Sequence, residues 1–334
     1  MFFVMCFAAS LLRLIEGSER ELHRAVGSSS LYPSWEHMCP GSSTCCAAWR
    51  TKVGLSELKR DQMLWNLDHI DSVHRNIPTT SSTRAKLCSF RSELKRSRRL
   101  PERLAHDDLE PTYSCSTLER VPYVSGDGPK FLCGLDVVGS DEGDCLVFSL
   151  GSNADTQFEN AVHKRRPKCA IHTFDPTLDD QKKRFVRKEQ ERGILRFHEV
   201  GGGGESRSHP FPVESVESLL SRVLPNQTTR SVASTTIDLL KMDIEGFEYE
   251  TISKALRNCN TRGAPIFDQL AVEVHGTNKA RINNFAKLLL LCGYQLVSKE
   301  RNHWGAEGYQ NVEYTFINER QAWKEFLLQN PCCA

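Results

Sequence analysis

Between residues 144 and 318, short apolar runs alternate with stretches of helical period. The runs are "CLVFSLG", "CAIHTFD", "ILRFHEV", "TIDLLKMD", "QLAVEVH", "YQLVSKE" and "NVEYTFIN". Runs this short and this apolar read as strands buried on both faces, and their alternation with helices predicts a parallel sheet. The window "VESVESLLSRVL" sets Val213, Val216, Leu219, Leu220 and Val223 on one helical stripe. The window "NKARINNFAKLLLLCG" ends in Gly293, where a helix-terminating glycine belongs. Only a short loop around Trp304 separates the last two runs, too little for a crossover helix, so they are expected to pair antiparallel. The outline is an α/β fold: a mostly parallel sheet, helices on both faces, closed by an antiparallel hairpin.

Upstream, residues 1–130 show no such order. They carry "GSSS", "GSST" and "TTSST", and a basic stretch from Arg84 to Arg103 that reads as a solvated helix or stem. One window, "LSELKRDQMLWNLDHI", places Leu58, Met63, Leu67 and Ile70 on one face and is expected to be a helix docked on the main domain. The first 17 residues are apolar but short for a membrane span, and lack the basic residues that precede a signal-peptide core. A signal or short anchor and a buried helix are both open there, so the secretory pathway and the cytoplasm stay open as compartments. No other transmembrane span is expected. The sequon Asn226-Gln227-Thr228 fits the secretory route.

Composition narrows the function classes. The 334 residues, 39% hydrophobic and 25% charged, make a soluble globular chain of one large domain or two modest ones. A net charge of +1 supplies no field for a dedicated nucleic-acid binder, and none is expected as partner. Thirteen cysteines include the vicinal pairs Cys45-Cys46 and Cys332-Cys333 but no C-x-x-C, which argues against a structural zinc site. Cys145, Cys169 and Cys292 fall in apolar patterns and read as small buried hydrophobes.

In an open α/β sheet the ligand lies beyond the carboxyl ends of the strands, so what each strand delivers there matters. The first ends in "SLGSNADTQFE", where Gly151 permits a tight turn before a helix start. The second ends in "HTFDP": Asp175 stands 24 positions after Gly151, near the spacing at which an acid receives ribose hydroxyls, and Pro176 ends the strand. The third ends in "GGGG", read as a mobile loop. The fourth and fifth deliver Asp243, Glu245, Glu273 and His275, expected to converge over two neighbouring strand ends. Glu248 and Glu250 read as water-facing acids in the next helix's first turns.

Taken in order, "LVFSLGSNADTQFE", "IHTFDPT", "DLLKMDIEGFEYE" and "LAVEVH" resemble the methyltransferase-like protein 24 group. That group is related to FkbM-type class I methyltransferases. The resemblance spans about residues 140 to 320 and assigns residues 131–334 to a methyltransferase-like domain. It implies a Rossmann-like seven-stranded sheet and S-adenosyl-L-methionine as cofactor. Ser149, Gly151, Ser152, Asn153, Asp175 and Pro176 would bind the cofactor, with Gly151 and Asn153 under its methionine part and Asp175 on the ribose. Ser149 and Asp155 depart from the wider class pattern, which favours an acid and a glycine.

Methyl transfer is an in-line displacement that positioning can largely catalyse, and an oxygen acceptor gains from a base or cation beside it. Asp243 is the leading base candidate, with Glu245, Glu273 and His275 beside it; the acceptor itself is unidentified. Asp243 and Glu273 are also hard oxygen ligands for a divalent ion, although none is expected. Two rival readings are a silent adenosyl-binding module and a metal-dependent sugar-nucleotide transferase.

Overall fold

The computed structural model describes residues 44–76, 105–139, 145–208, 210–224, 234–259, 261–262, 264–302 and 311–330. The expected signal or anchor, the basic stretch 84–103 and the sequon at Asn226 lie outside them.

The seven apolar runs form one seven-stranded sheet. In chain order its strands are β3 (Cys145–Leu150), β4 (Cys169–Phe174), β5 (Arg196–His198), β8 (Ile237–Met242), β9 (Phe267–Val274), β10 (Gln295–Arg301) and β11 (Val312–Ile317). Their spatial order is β10-β11-β9-β8-β3-β4-β5. The β9-β8-β3-β4-β5 pairings are parallel, and β11 pairs antiparallel with both β10 and β9. The α/β outline read from the alternation, and the Rossmann-like seven-stranded sheet the resemblance implied, are therefore the fold. Every residue of β3, β8 and β9 is buried, which is why these runs lack polar alternation. The chain leaves β3 toward β4 and β5, then returns across β3 to β8, so the topological switch point lies between β3 and β8.

Helices α2 (Gln157–Arg165), α3 (Asp180–Glu191), α4 (Val216–Val223), α5 (Glu248–Ala255), α6 (Lys279–Leu291) and α7 (Glu319–Gln329) follow successive strands. Asp179, Ser215, Asn278 and Asn318 cap four of them by accepting a hydrogen bond from a first-turn amide. Gly293, at φ +84°, ends α6 as expected. Helix α4 begins at Val216, later than its stripe predicts. Val213 instead joins the short strand β7 (Val213–Glu214), which pairs with β6 (Gly201–Gly202). The tetraglycine is thus not a loose loop. A Cβ on Gly202 would fall 2.7 Å from Leu150 Cδ1, and one on Gly203 2.9 Å from Val213 Cγ2, so glycine lets the backbone lie against the sheet there.

The part of 1–130 that is described carries regular structure. Helix α1 (Thr44–Asn76) contains the predicted window; Met63 is buried in the main core and Leu67 packs on it, while Leu58 is exposed. The side chain of Ile70 is outside the described set. Trp49 packs in the same helix against Trp323 and Phe326 of α7. A hairpin, β1 (Leu118–Val121) with β2 (Lys130–Cys133), then lies across the antiparallel end of the sheet. Side chains of the sheet hold it. Gln269 of β9 exchanges hydrogen bonds with the amide and carbonyl of Cys133, and Thr315 of β11 donates to the Phe131 carbonyl.

The cysteine reading is corrected. Cys145 pairs with Cys169, Cys259 with Cys292 and Cys115 with Cys133, so the three cysteines taken for buried hydrophobes are half-cystines. Cys45 and Cys46 are disulfide-bonded as well. Among the described residues no helix is long and apolar enough to cross a membrane.

Candidate active site

A cleft of about 1060 Å³ opens at the carboxyl ends of β3, β4, β8 and β9, over the switch point. Volume of this order is what a nucleoside-sized ligand with an acceptor beside it requires.

Its floor is a backbone construction. The Gly151 amide donates to the Phe174 carbonyl and the Asp243 amide to the Leu150 carbonyl, so the turns after β3, β4 and β8 knit together. Gly151 has φ +77°, and a Cβ there would lie 1.8 Å from the Asp243 carbonyl oxygen. No side chain fits, which is the physical content of the glycine in "SLGSN". Asn153 and Ala154 continue the turn at φ +47° and +67°, left-handed geometry that non-glycine residues hold only when surroundings impose it.

Asp175 imposes it. One of its oxygens accepts from the Ser152 amide, the Ser152 hydroxyl and the Asn153 amide at 2.9–3.3 Å. The other accepts from the Thr177 amide and hydroxyl at 3.0 and 2.7 Å. Burial would raise this carboxyl, but the Thr177, Ser152 and Asn153 hydrogen bonds hold it below the usual range. A carboxylate offers about four lone-pair sites, so these contacts fill it. Asp175 faces the cleft at the expected strand end, and its oxygens brace the glycine turn. Pro176 lines the cleft beside Gly201. Ser152 and Asn153 also line it, and the Asn153 side chain accepts from Lys182. Ser149 does not; it is fully buried beneath the turn, next to Glu159 of α2. Its place in the cofactor set is withdrawn.

The opposite wall is made of charge. Asp243, Glu245, Glu273 and His275 all line the cleft, the convergence expected from the strand ends. His275 Nε2 lies 3.9 Å from Asp243 and 3.4 Å from Glu245, while Nδ1 lies 2.9 Å from Glu248. Glu248 is not a water-facing acid. It is 0% exposed and accepts from the Ile244 and Gly246 amides as well as His275, fixing both the turn and the imidazole. Glu245 is 85% exposed at the rim, with φ +54°.

Three groups that the sequence did not single out complete this wall. Lys130 of the β2 strand, 1% exposed, reaches Asp243 Oδ2 at 3.3 Å and Glu273 Oε2 at 3.8 Å and hydrogen-bonds Glu313 of β11. Glu313 is the direct cross-strand partner of Glu273. Carboxyls facing each other this way repel when both are ionised, and the hairpin brings a cation over them. Asn302 donates to Glu273 and to Asp127 of the hairpin loop at 2.7 and 2.8 Å.

These contacts sort the protonation states. Burial would raise Asp243, but Lys130, Lys241 and His275 outweigh it and hold the carboxyl at about 2. Asp243 is therefore an anion at neutral pH. Burial would lower His275, but the Glu248 hydrogen bond and the charges of Glu248, Glu273 and Asp243 lift it to about 9, so it is an imidazolium at neutral pH. Burial and then the Asp243 charge raise Glu273; burial, only partly offset by Lys130, pushes Glu313 up to about 8. Of the two strand-end carboxyls Asp243 and Glu273, Glu273 is thus the more readily protonated. Oxygen atoms of Asp243 and Glu245 with a His275 nitrogen, and those of Asp127, Glu273 and Glu313, lie within 4.8 Å of one another, close enough to share a metal ion.

A glycine-turn cleft at the switch point of such a sheet, with a charged wall at the neighbouring strand ends, is the framework of a nucleoside-cofactor enzyme. The sequence model of a family described as a methyltransferase domain matches residues 67–318. The chain belongs to that family and is a methyltransferase; the family implies S-adenosylmethionine as cofactor, and the glycine cradle fits it. A search of curated proteins finds no match. Similar solved structures include a fibrillarin pre-rRNA processing protein of Methanococcus jannaschii, 10% identical over 61% of this chain and 84% of that one, TM-score 0.35. Precorrin-6y C5,15-methyltransferase of Geobacter metallireducens is 12% identical over 55% and 84%, TM-score 0.32. TYW2 of Pyrococcus horikoshii, in complex with MeSAdo, is 14% identical over 67% and 84%, TM-score 0.31. At these TM-scores the assignment rests on the family match.

Proposed function

We propose that this methyltransferase uses S-adenosylmethionine to methylate a hydroxyl oxygen, as a member of the methyltransferase-like protein 24 group in an oxidising compartment. The observation that carries the reading is the pairing, in one cleft, of a side-chain-free cradle at Gly151 with a buried, raised carboxyl at Glu273. The cofactor supplies an electrophilic methyl group; the chain supplies alignment and a proton acceptor. The Gly151–Asn153 turn and Gly201–Gly202 hold the nucleoside side. Glu273 takes the hydroxyl proton as the oxygen attacks, and Asp243 and His275 fix the charge around it. A hydroxyl is the acceptor that needs this help, because its pKa lies far above that of the carboxyl beside it. The disulfides support a secretory location, where such bonds persist.

Calorimetry with S-adenosylhomocysteine tests the cofactor half: one site per chain is expected, without added metal. Preferential binding of a nucleotide sugar with Mn²⁺ would defeat it. A labelled-methyl screen over hydroxyl, amine and thiol acceptors tests the other half; label on nitrogen or sulfur alone would sink the oxygen assignment.

A further inference from the structure

The charged wall holds more acid than its neighbours alone can balance. Asp243 comes from the end of β8, Glu273 from β9 and Glu313 from β11, three strands that lie side by side. Oxygens of Glu273 and Glu313 with Asp127 lie close enough together to share a hard divalent ion, and Asp243 stands next to them across Lys130. The space at their centre is filled from outside the sheet. The Lys130 stem crosses from the hairpin and leaves its ammonium within 3.3 Å of Asp243 and 3.8 Å of Glu273, hydrogen-bonded to Glu313. The ammonium donates to Asp243 and Glu313 and lies at ion-pair distance from Glu273. The second oxygen of Glu313 is buried and has no hydrogen-bond partner among the described residues.

We propose that the Lys130 ammonium is the resident cation of the cleft, standing where a divalent ion would otherwise bridge Asp243, Glu273 and Glu313. Lys130 is a positioning residue: it is buried behind the cleft lining and acts by holding Asp243 and Glu273 at the wall. Its relevance to methyl transfer rests on the function proposed above; its occupancy of a cation position does not. The consequence is an enzyme whose charged wall carries a built-in cation. The hairpin that delivers this charge lies in the region that looked irregular in sequence.

The experiment is a Mn²⁺ titration of the full chain after chelator treatment, at neutral pH, followed by electron paramagnetic resonance. Wild type is expected to bind no stoichiometric Mn²⁺. Lys130→Ala is expected to bind one ion on the order of 100-fold more tightly than wild type, the scale set by deleting a like charge at contact distance. Loss of packing alone would not create such a site. Lys130→Gln, which keeps most of the stem, covers the case in which alanine fails to fold; Mn²⁺ should raise its melting midpoint and leave that of wild type unmoved. Tight Mn²⁺ binding by wild type that Asp243→Asn abolishes, or no gain in either Lys130 variant, overturns the proposal. S-adenosylhomocysteine calorimetry on the same samples keeps the two questions apart, since a wild type that binds no cofactor product defeats the functional reading and leaves the metal comparison standing.

Discussion

On the β3–β4 side of the cleft the turn is held by backbone amides that hydrogen-bond the Asp175 carboxylate and a neighbouring strand carbonyl. On the β9–β11 side they are ionised side chains whose charges are balanced only collectively, through Lys130 and His275. The first arrangement is held by hydrogen bonds to one carboxylate whose own hydrogen bonds keep it ionised. The second responds to every proton and to every charge removed. Shape is thus set on one side and reactivity on the other, and the two sides should fail differently when perturbed.

Gly151→Ala should give the largest effect. Its Cβ would overlap the Asp243 carbonyl and demand a left-handed alanine, strain on the order of 3 kcal/mol. Calorimetry should show S-adenosylhomocysteine binding weakened about 100-fold, equivalent to roughly 3 kcal/mol. Binding within a few-fold of wild type would mean the cradle is not where the cofactor lies.

A second experiment asks how the β3–β5 side responds to acid. Behind that cradle His172 of β4 stacks on His198 of β5, with their ring nitrogens 2.9 Å apart. Burial first, then the charges of His198 and Arg196, hold His172 at about 3, so it folds as the neutral imidazole. The unfolded chain, with an ordinary histidine near 6.5, binds the extra proton between those values. Stability from His172 is therefore complete above pH ~6.5 and declines as pH falls toward 3. His172→Phe should remove about 2 kcal/mol of the loss seen on going from pH 7 to pH 5, measured by urea unfolding. An unchanged slope would show that another group carries the acid sensitivity.

The smallest effect sharpens the charged side. Glu248→Gln removes the anion at His275 Nδ1. The His275 titration, followed by NMR, should fall from about 9 toward the ordinary histidine value near 6.5. With wild-type His275 the stabilising charge is fully present below pH ~6.5 and lost as pH rises through about 9, so the variant should lose that stability at lower pH. A midpoint that stays near 9 would assign the shift to Asp243 and Glu273 instead.

The two sides also differed in how far they could be read from sequence. The seven strands were legible because burial on both faces leaves unbroken apolar runs, and Gly151 and Asp175 were legible because they follow such runs directly. Lys130 was not: it opens a four-residue strand with no periodicity to announce it. Glu313 in "NVEYTFIN" reads as an ordinary outward polar position until the register sets it opposite Glu273. Glu248 looked like a first-turn helix acid because its three hydrogen-bond partners lie in a turn and on another strand. Pairing across strands carries this information, and sequence spacing does not. The glycine run misled in the other sense, since the same four residues serve a loose loop or a tightly apposed backbone.

The disulfide between Cys145 and Cys169 joins the first residues of β3 and β4, which are register partners. At the far ends of the same two strands the Asp175 carboxylate ties the turn after one to the turn after the other. A one-residue slip between them would turn every side chain to the opposite face, and a ladder fastened at both ends has no freedom to slip. Gly151 and Asp175 are consequently aligned before any ligand arrives, and association need not bear the entropy of aligning them.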